Sequence, residues 1–211
     1  MRVLRAFCNV FFVLIFIPVW LYTYTFLHES GHAFVILYYG GVIESFSIGL
    51  NAYVISHSAN FTPFGAALNN IAGLLLPAFF FILILCLYNP RFKPAWYHIC
   101  YVIMMISMIS SALVWVVVPI LLSYITVPPD DVTNFIQNTG LHPLIVAYGG
   151  FFLILIYILL AYGFGLFRTI GKAIKYLRTD RNVSYILIML IAFITFSSGI
   201  ILLALLQRYV F

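Results

Sequence analysis

The chain has 211 residues, of which 65% are hydrophobic and only 7% are charged, and its formal net charge is +5. An ordinary soluble domain is about 25% charged, and a soluble fold of this length could not keep so much apolar surface from water. These values exclude a soluble globular protein and predict an integral membrane protein. The basic residues lie in short clusters between apolar runs, a pattern typical of membrane anchoring, so no nucleic-acid partner is expected.

Long apolar segments predict about five transmembrane helices, since each crossing needs roughly 20 apolar residues. The predicted fold class is an all-α polytopic membrane protein with a short membrane-associated β-hairpin after the first helix. Residues 1–211 are expected to form a single membrane-embedded domain. The predicted spans are residues 7–38, 64–88, 97–125, 143–167 and 183–207.

The first apolar segment carries His28-Glu29-Ser30-Gly31-His32 near its far end. Residues four apart share one face of a helix, so both imidazoles can bind one cation. Glu29 is then placed to act as general base on the attacking water. The motif predicts a Zn²⁺ site with His28 and His32 as ligands and Glu29 as the catalytic residue. The alternative is two interfacial histidines and a snorkelling glutamate, but ionisable groups in an apolar helix are costly unless they have a function.

Residues 42–60 follow the first span and are rich in β-branched and aromatic residues, with Gly49 and Asn51 midway. This composition predicts a β-hairpin, with Gly49 at a bend or a close backbone approach. A free edge of such a hairpin could receive an extended substrate segment as an added strand.

The basic residues alternate along the chain in a way that predicts topology. They stand before the first predicted span, after the second and after the fourth, whereas residues 39–63 and 126–142 contain none. The positive-inside rule therefore predicts a multi-pass protein with a cytoplasmic N-terminus. On this topology the end of the first span and residues 126–142 lie on the same side. The residues that carry the pattern are Arg2, Arg5, Arg91, Lys93, Arg168, Lys172, Lys175, Arg178 and Arg181, with Arg208 alone on the other side.

A third zinc ligand is expected in the segment between the third and fourth spans. A hydrolytic zinc site needs three protein ligands and one open position. Asp130 and Asp131 follow Pro128-Pro129 and stand at a predicted helix start. Either carboxylate could bind zinc, and the other would then cap the helix or complement its dipole.

The stretch HESGHAFVILYYGG resembles the HExGH helix of the site-2 protease family of intramembrane zinc metalloproteases. In that family a membrane-associated β-hairpin follows this helix, and a later helix supplies an aspartate as third zinc ligand. PPDDVTNFIQNTGLHP is similar to the aspartate-bearing segment of the small, divergent bacterial and archaeal branch, although the main group usually has Asp-Gly where this chain has Asp-Asp-Val. The resemblance implies Asp131 as the third ligand, with Asp130 as the runner-up.

The segment NNIAGLLLP, residues 69–77, resembles the family's glycine- and asparagine-containing segment near the active site. This likeness implies that the Asn70 amide donates a hydrogen bond to the oxyanion or to the substrate backbone. Alternatively, the two asparagines cap the second helix, and Gly73 permits close helix packing.

These features predict an intramembrane zinc metalloprotease that hydrolyses peptide bonds in or near the bilayer. Its expected partners are membrane lipid and a membrane-protein or peptide substrate. Two alternatives remain open: a zinc-dependent membrane hydrolase acting on a lipid or another amide or ester, and a non-enzymatic metal-binding membrane protein such as a transporter or assembly subunit. A β edge that accepts a strand favours a peptide substrate, and a wide lipid-open groove favours a lipid.

Overall fold

The computed structural model describes residues 2–171, so the predicted fifth span, 183–207, lies outside the described residues. Five helices and two strands lie wholly within this part of the chain, and residues 166–171 are also helical. The helices are α1 (Arg2–Tyr38), α2 (Pro63–Cys86), α3 (Ala95–Leu122), α4 (Asp131–Thr139) and α5 (Pro143–Gly163), and the strands are β1 (Val42–Ser47) and β2 (Tyr53–His57).

Four of these helices are long and apolar enough to cross a membrane: α1 over Phe11–Tyr38, α2, α3 and α5. Each lies at one of the first four predicted spans, with ends that differ from the prediction by a few residues. Together with the composition, they indicate a helical membrane protein. The cytoplasmic placement of the N-terminus stays a prediction.

Two clusters of buried side chains hold the helices together. The larger cluster, here called the apolar end, joins α1, α2, α3 and α5 and contains Phe81 and Tyr157, both fully buried, with ring centroids 5.6 Å apart in an edge-to-face contact. The smaller one, here called the α4 cluster, ties α4 to α2, α3 and α5. Its members are Leu74, Trp115, Val118, Val127, Val132 and Val146.

The predicted hairpin is confirmed, with β1 and β2 paired antiparallel from Val42 opposite His57 to Ser47 opposite Tyr53. Its turn docks on α1, where the Gly49 N–H donates to Oγ1 of Thr25 at 3.0 Å. Gly49 has φ +100°, and a Cβ there would lie 3.0 Å from the Tyr22 ring, so the turn requires glycine. The hairpin therefore lies along α1 rather than projecting from it.

Helix α4 is short, about 14 Å at 1.5 Å per residue, and does not cross a membrane. Asp130 caps its first turn, and Gly140 ends it in the left-handed conformation at φ 65°. Val132 is buried in the α4 cluster, and the Phe135 ring meets the Trp115 ring with centroids 5.4 Å apart. These contacts fix the helix start, and hence Asp131, against the membrane helices.

Candidate metal site

The two histidines of the HExxH motif lie one turn apart on α1. Their Nε2 atoms are 3.3 Å apart and their ring centroids 5.0 Å apart. The four-residue separation places both rings on one face of the helix. Both rings therefore present the same nitrogen to one point beside the helix.

Asp131 meets both histidines at that point. Its Oδ2 lies 3.3 Å from Nε2 of His28 and 3.3 Å from Nε2 of His32. The structure thus brings together the two motif histidines and the aspartate that the family resemblance implied. These three residues form a group that could hold a metal ion.

Asp130, the runner-up, is engaged elsewhere. Its Oδ1 accepts the Thr133 N–H at 2.7 Å, while its own N–H donates to Oγ1 of Thr133 at 2.7 Å. This reciprocal pair is a capping box. Asp130 therefore sets the start of α4, and the next residue carries the carboxylate that reaches the histidines.

The three ligand atoms have the spacing of a tetrahedral face. In a tetrahedral site with ligands about 2.05 Å from the ion, neighbouring ligand atoms lie about 3.3 Å apart. All three distances among the two Nε2 atoms and Oδ2 are 3.3 Å. The group therefore has the spacing that one face of a tetrahedral zinc site requires.

The tautomer of His32 fits the same arrangement. Its Nδ1 lies 2.8 Å from the carbonyl oxygen of Asn69, which can only accept, so Nδ1 carries the proton. In the neutral ring Nε2 then presents a lone pair toward His28 Nε2 and the Asp131 carboxylate. A cation bound between these groups would relieve the repulsion among them. A backbone carbonyl that accepts from the other ring nitrogen, as the Asn69 carbonyl does here, is typical of metal-binding histidines.

Asp131 has the electrostatic character of a ligand. Burial alone would raise the pKa of its carboxyl, but when the imidazoles of His28 and His32 are protonated, their hydrogen bonds and charge outweigh burial and hold that pKa well below its ordinary value. The side chain is therefore an ionised carboxylate at neutral pH, as a metal ligand must be. It is also 38% exposed, so the site is accessible from outside the protein.

Glu29, the predicted general base, is only 7% exposed. It lies close enough to His28, His32 and Asp131 to interact electrostatically with each of them. Asn70 is also buried, and its Nδ2 has no hydrogen-bond partner among the described residues. An amide donor is therefore present on α2, next to the residue whose carbonyl holds His32.

Sequence reasoning missed two residues near the site. The first is Asn69, which acts through its backbone carbonyl and so leaves no side-chain signal. The second is Tyr24, whose hydroxyl lies 2.6 Å from Oγ of Ser111 and whose ring centroid is 6.1 Å from that of His28. Its position one turn before His28 was the only available indication.

Comparison of the chain with protein-family models, with curated proteins and with solved structures finds no match. The chemistry of the site must therefore be inferred from the three ligand atoms and the residues around them.

Proposed function

We propose that this protein is an intramembrane zinc metalloprotease that hydrolyses peptide bonds in or near the bilayer. The observation that carries the proposal is the equilateral arrangement of His28 Nε2, His32 Nε2 and Asp131 Oδ2, with 3.3 Å on every side, next to the buried Glu29.

The ligand set supports zinc. Two imidazoles and a carboxylate with an open fourth position are a known catalytic zinc set, and the spacing matches tetrahedral geometry. Magnesium and calcium take oxygen ligands and would not select two histidines. A bound zinc ion would supply a water with a pKa near 7 and polarise the scissile carbonyl.

The position of the group along α1 supports a site within the membrane. His32 lies six residues before Tyr38, or about 9 Å from the helix end. On both sides of the motif, α1 exposes large apolar side chains: Phe26 is 50% exposed, Phe34 64% and Leu37 53%. Lipid is the surrounding that suits such a surface, so the ligands belong to a lipid-facing stretch of helix.

Side chains of the protein would carry out proton transfer, metal binding and stabilisation of the oxyanion. Glu29 would take a proton from the attacking water and pass it to the leaving nitrogen. His28 and His32 would hold the metal as neutral imidazoles and Asp131 as an ionised carboxylate. The Asn70 amide, whose Nδ2 has no partner in the described part of the chain, is the candidate donor to the oxyanion or the substrate backbone.

The hairpin favours a peptide over a lipid. Within the described residues its sheet has two strands, so each has one unpaired edge that could take up an extended segment. Its turn reaches Thr25, one turn before the histidines, and Phe46 contacts Phe26. A strand added to the hairpin would therefore run along the part of α1 that carries the ligands.

Exchange of Glu29 for glutamine tests the proposal. We expect the Glu29→Gln protein to bind one zinc ion, as the wild type does, and to cleave about 10²–10⁴-fold more slowly, because only the proton acceptor is lost. The measurement is mass spectrometry of transmembrane peptides incubated with zinc-loaded protein in lipid vesicles. Asp130→Asn is the matched control, since it makes the same acid-to-amide change and keeps the helix cap.

Three outcomes would contradict the proposal. Wild-type protein that binds no zinc would remove the metal site, and peptide cleavage at the wild-type rate by Glu29→Gln would remove the general base. Hydrolysis of the vesicle lipids instead of the peptides, dependent on Glu29, would show that the substrate is a lipid.

A further inference from the structure

Helix α2 touches the two histidines at a residue without a side chain. A Cβ on Gly73 would lie 2.5 Å from Nε2 of His32 and 2.7 Å from Cε1 of His28. Ordinary van der Waals contact begins about 1 Å farther out. The present position of both rings is therefore compatible only with glycine at 73.

A second glycine makes the reciprocal contact from α1. A Cβ on Gly31, inside the HExxH motif, would collide with the backbone carbonyl of Ala72. Gly31 thus lets the backbone of α1 approach α2, and Gly73 makes room on α2 for the imidazoles. Small residues that allow close approach are the usual means of tight helix packing in membranes.

The same turn of α2 is connected to every ligand. The Asn69 carbonyl fixes Nδ1 of His32 at 2.8 Å. Leu74 lies in the α4 cluster with Val132, the residue that follows Asp131. Gly73, which lies between Asn69 and Leu74 in the sequence, borders both histidine rings. Residues 69–74 therefore contact the imidazoles directly and the carboxylate through α4.

We propose that residues 69–74 of α2 are the positioning element of the metal site, with Gly73 as the positioning residue. This inference rests on the proposed zinc site and goes beyond it, since it concerns a helix that contributes no ligand. Gly73 sets the distance between the two Nε2 atoms by the absence of a side chain. Any side chain at 73 displaces at least one imidazole from the triangle.

The first test is zinc affinity. We expect Gly73→Ala to weaken zinc binding about 100-fold, a loss typical of residues that orient ligands without touching the metal. Gly149→Ala is the matched control, because Gly149 is also a helical glycine and no atom of residues 2–171 lies within 4 Å of an added Cβ there. The measurement is competition with a zinc chelator in detergent. Wild-type affinity in Gly73→Ala would overturn the inference while leaving the zinc site intact.

The second test separates positioning from general misfolding and uses metal-free protein. Gly73→Ala is introduced into the wild type and into His28→Ala/His32→Ala, and the four unfolding temperatures are compared. We expect Gly73→Ala to lower the unfolding temperature by about 5 °C when the imidazole rings are present. In the background without the rings we expect little change, because the added methyl meets no imidazole there.

An equal fall in both backgrounds would overturn the inference, because the methyl would then clash with something other than the rings. If Gly73→Ala does not fold with the histidines present, folding of the triple variant supports the inference and its failure overturns it. These results hold whether or not the wild type binds zinc, so they are distinguishable from a failure of the proposed function.

Discussion

Around Phe81 and Tyr157 the helices bury apolar and aromatic side chains in close contact, whereas the interior near the HExxH motif holds ionisable and amide groups. Burying such groups is costly unless they are paired or bind a metal. The apolar end therefore stabilises the bundle, and the other end buries groups whose cost a bound metal ion would offset. The buried polar residues of the described part, aromatic residues and cysteine aside, all lie at that second end: Glu29, His32, Asn70 and Thr133.

The largest expected effect is on metal binding at the end of the bundle that contains the HExxH motif, here called the polar end. Asp131→Asn should abolish stoichiometric zinc binding, because the amide removes the negative charge and one of three ligands. Elemental analysis of purified protein measures this loss. Asp130→Asn, one residue earlier, should retain a full equivalent of zinc. If both variants kept zinc, the carboxylate at the polar end would not be a ligand.

The next effect concerns the apolar end. Phe81→Ala should lower the free energy of unfolding by about 3 kcal/mol, since Phe81 is fully buried and its contacts with Tyr157 are lost. Its zinc dissociation constant should equal that of the wild type. Denaturant titration and chelator competition on the same sample measure the two quantities. A weakened zinc affinity in Phe81→Ala would show that the two ends are energetically coupled and would contradict the separation of roles between them.

The smallest effect comes from the cap of α4. Asp130→Ala should cost about 1 kcal/mol of stability, because the Thr133 N–H loses its acceptor. The start of α4 carries Asp131, so zinc affinity should fall as well, by no more than the about fivefold that 1 kcal/mol represents. Asp130→Asn keeps a side-chain oxygen that can cap the helix, so its stability and its zinc affinity should both equal those of the wild type. An Asp130→Ala protein with wild-type affinity would show that the α4 cluster alone holds Asp131 in place.

The sequence was sufficient for features that depend on local spacing. The four long apolar helices followed from the length of apolar runs, the hairpin from β-branched residues around Gly49, and the shared face of His28 and His32 from their four-residue separation. Each of these is determined within one segment. The predicted fifth span stays a prediction.

Features that depend on contact between segments could not be read in the same way. Asp130 and Asp131 are chemically equivalent, and apart from the family resemblance the sequence does not separate them. The structure does, because Asp130 caps α4 and Asp131 meets both histidines. The Asn69 carbonyl and the contact at Gly73 depend on how closely α1 and α2 approach, which no periodic pattern encodes. The proteolytic activity and the zinc ion stay proposals.

The short helix α4 also has a consequence for the biosynthesis of the protein. The histidines are translated early, but the carboxylate that completes the triangle follows only after α2 and α3. A nascent chain with one or two inserted helices thus has two imidazoles and no third ligand. The proposed activity therefore requires that α1, α2 and α3 have all been made before it can begin.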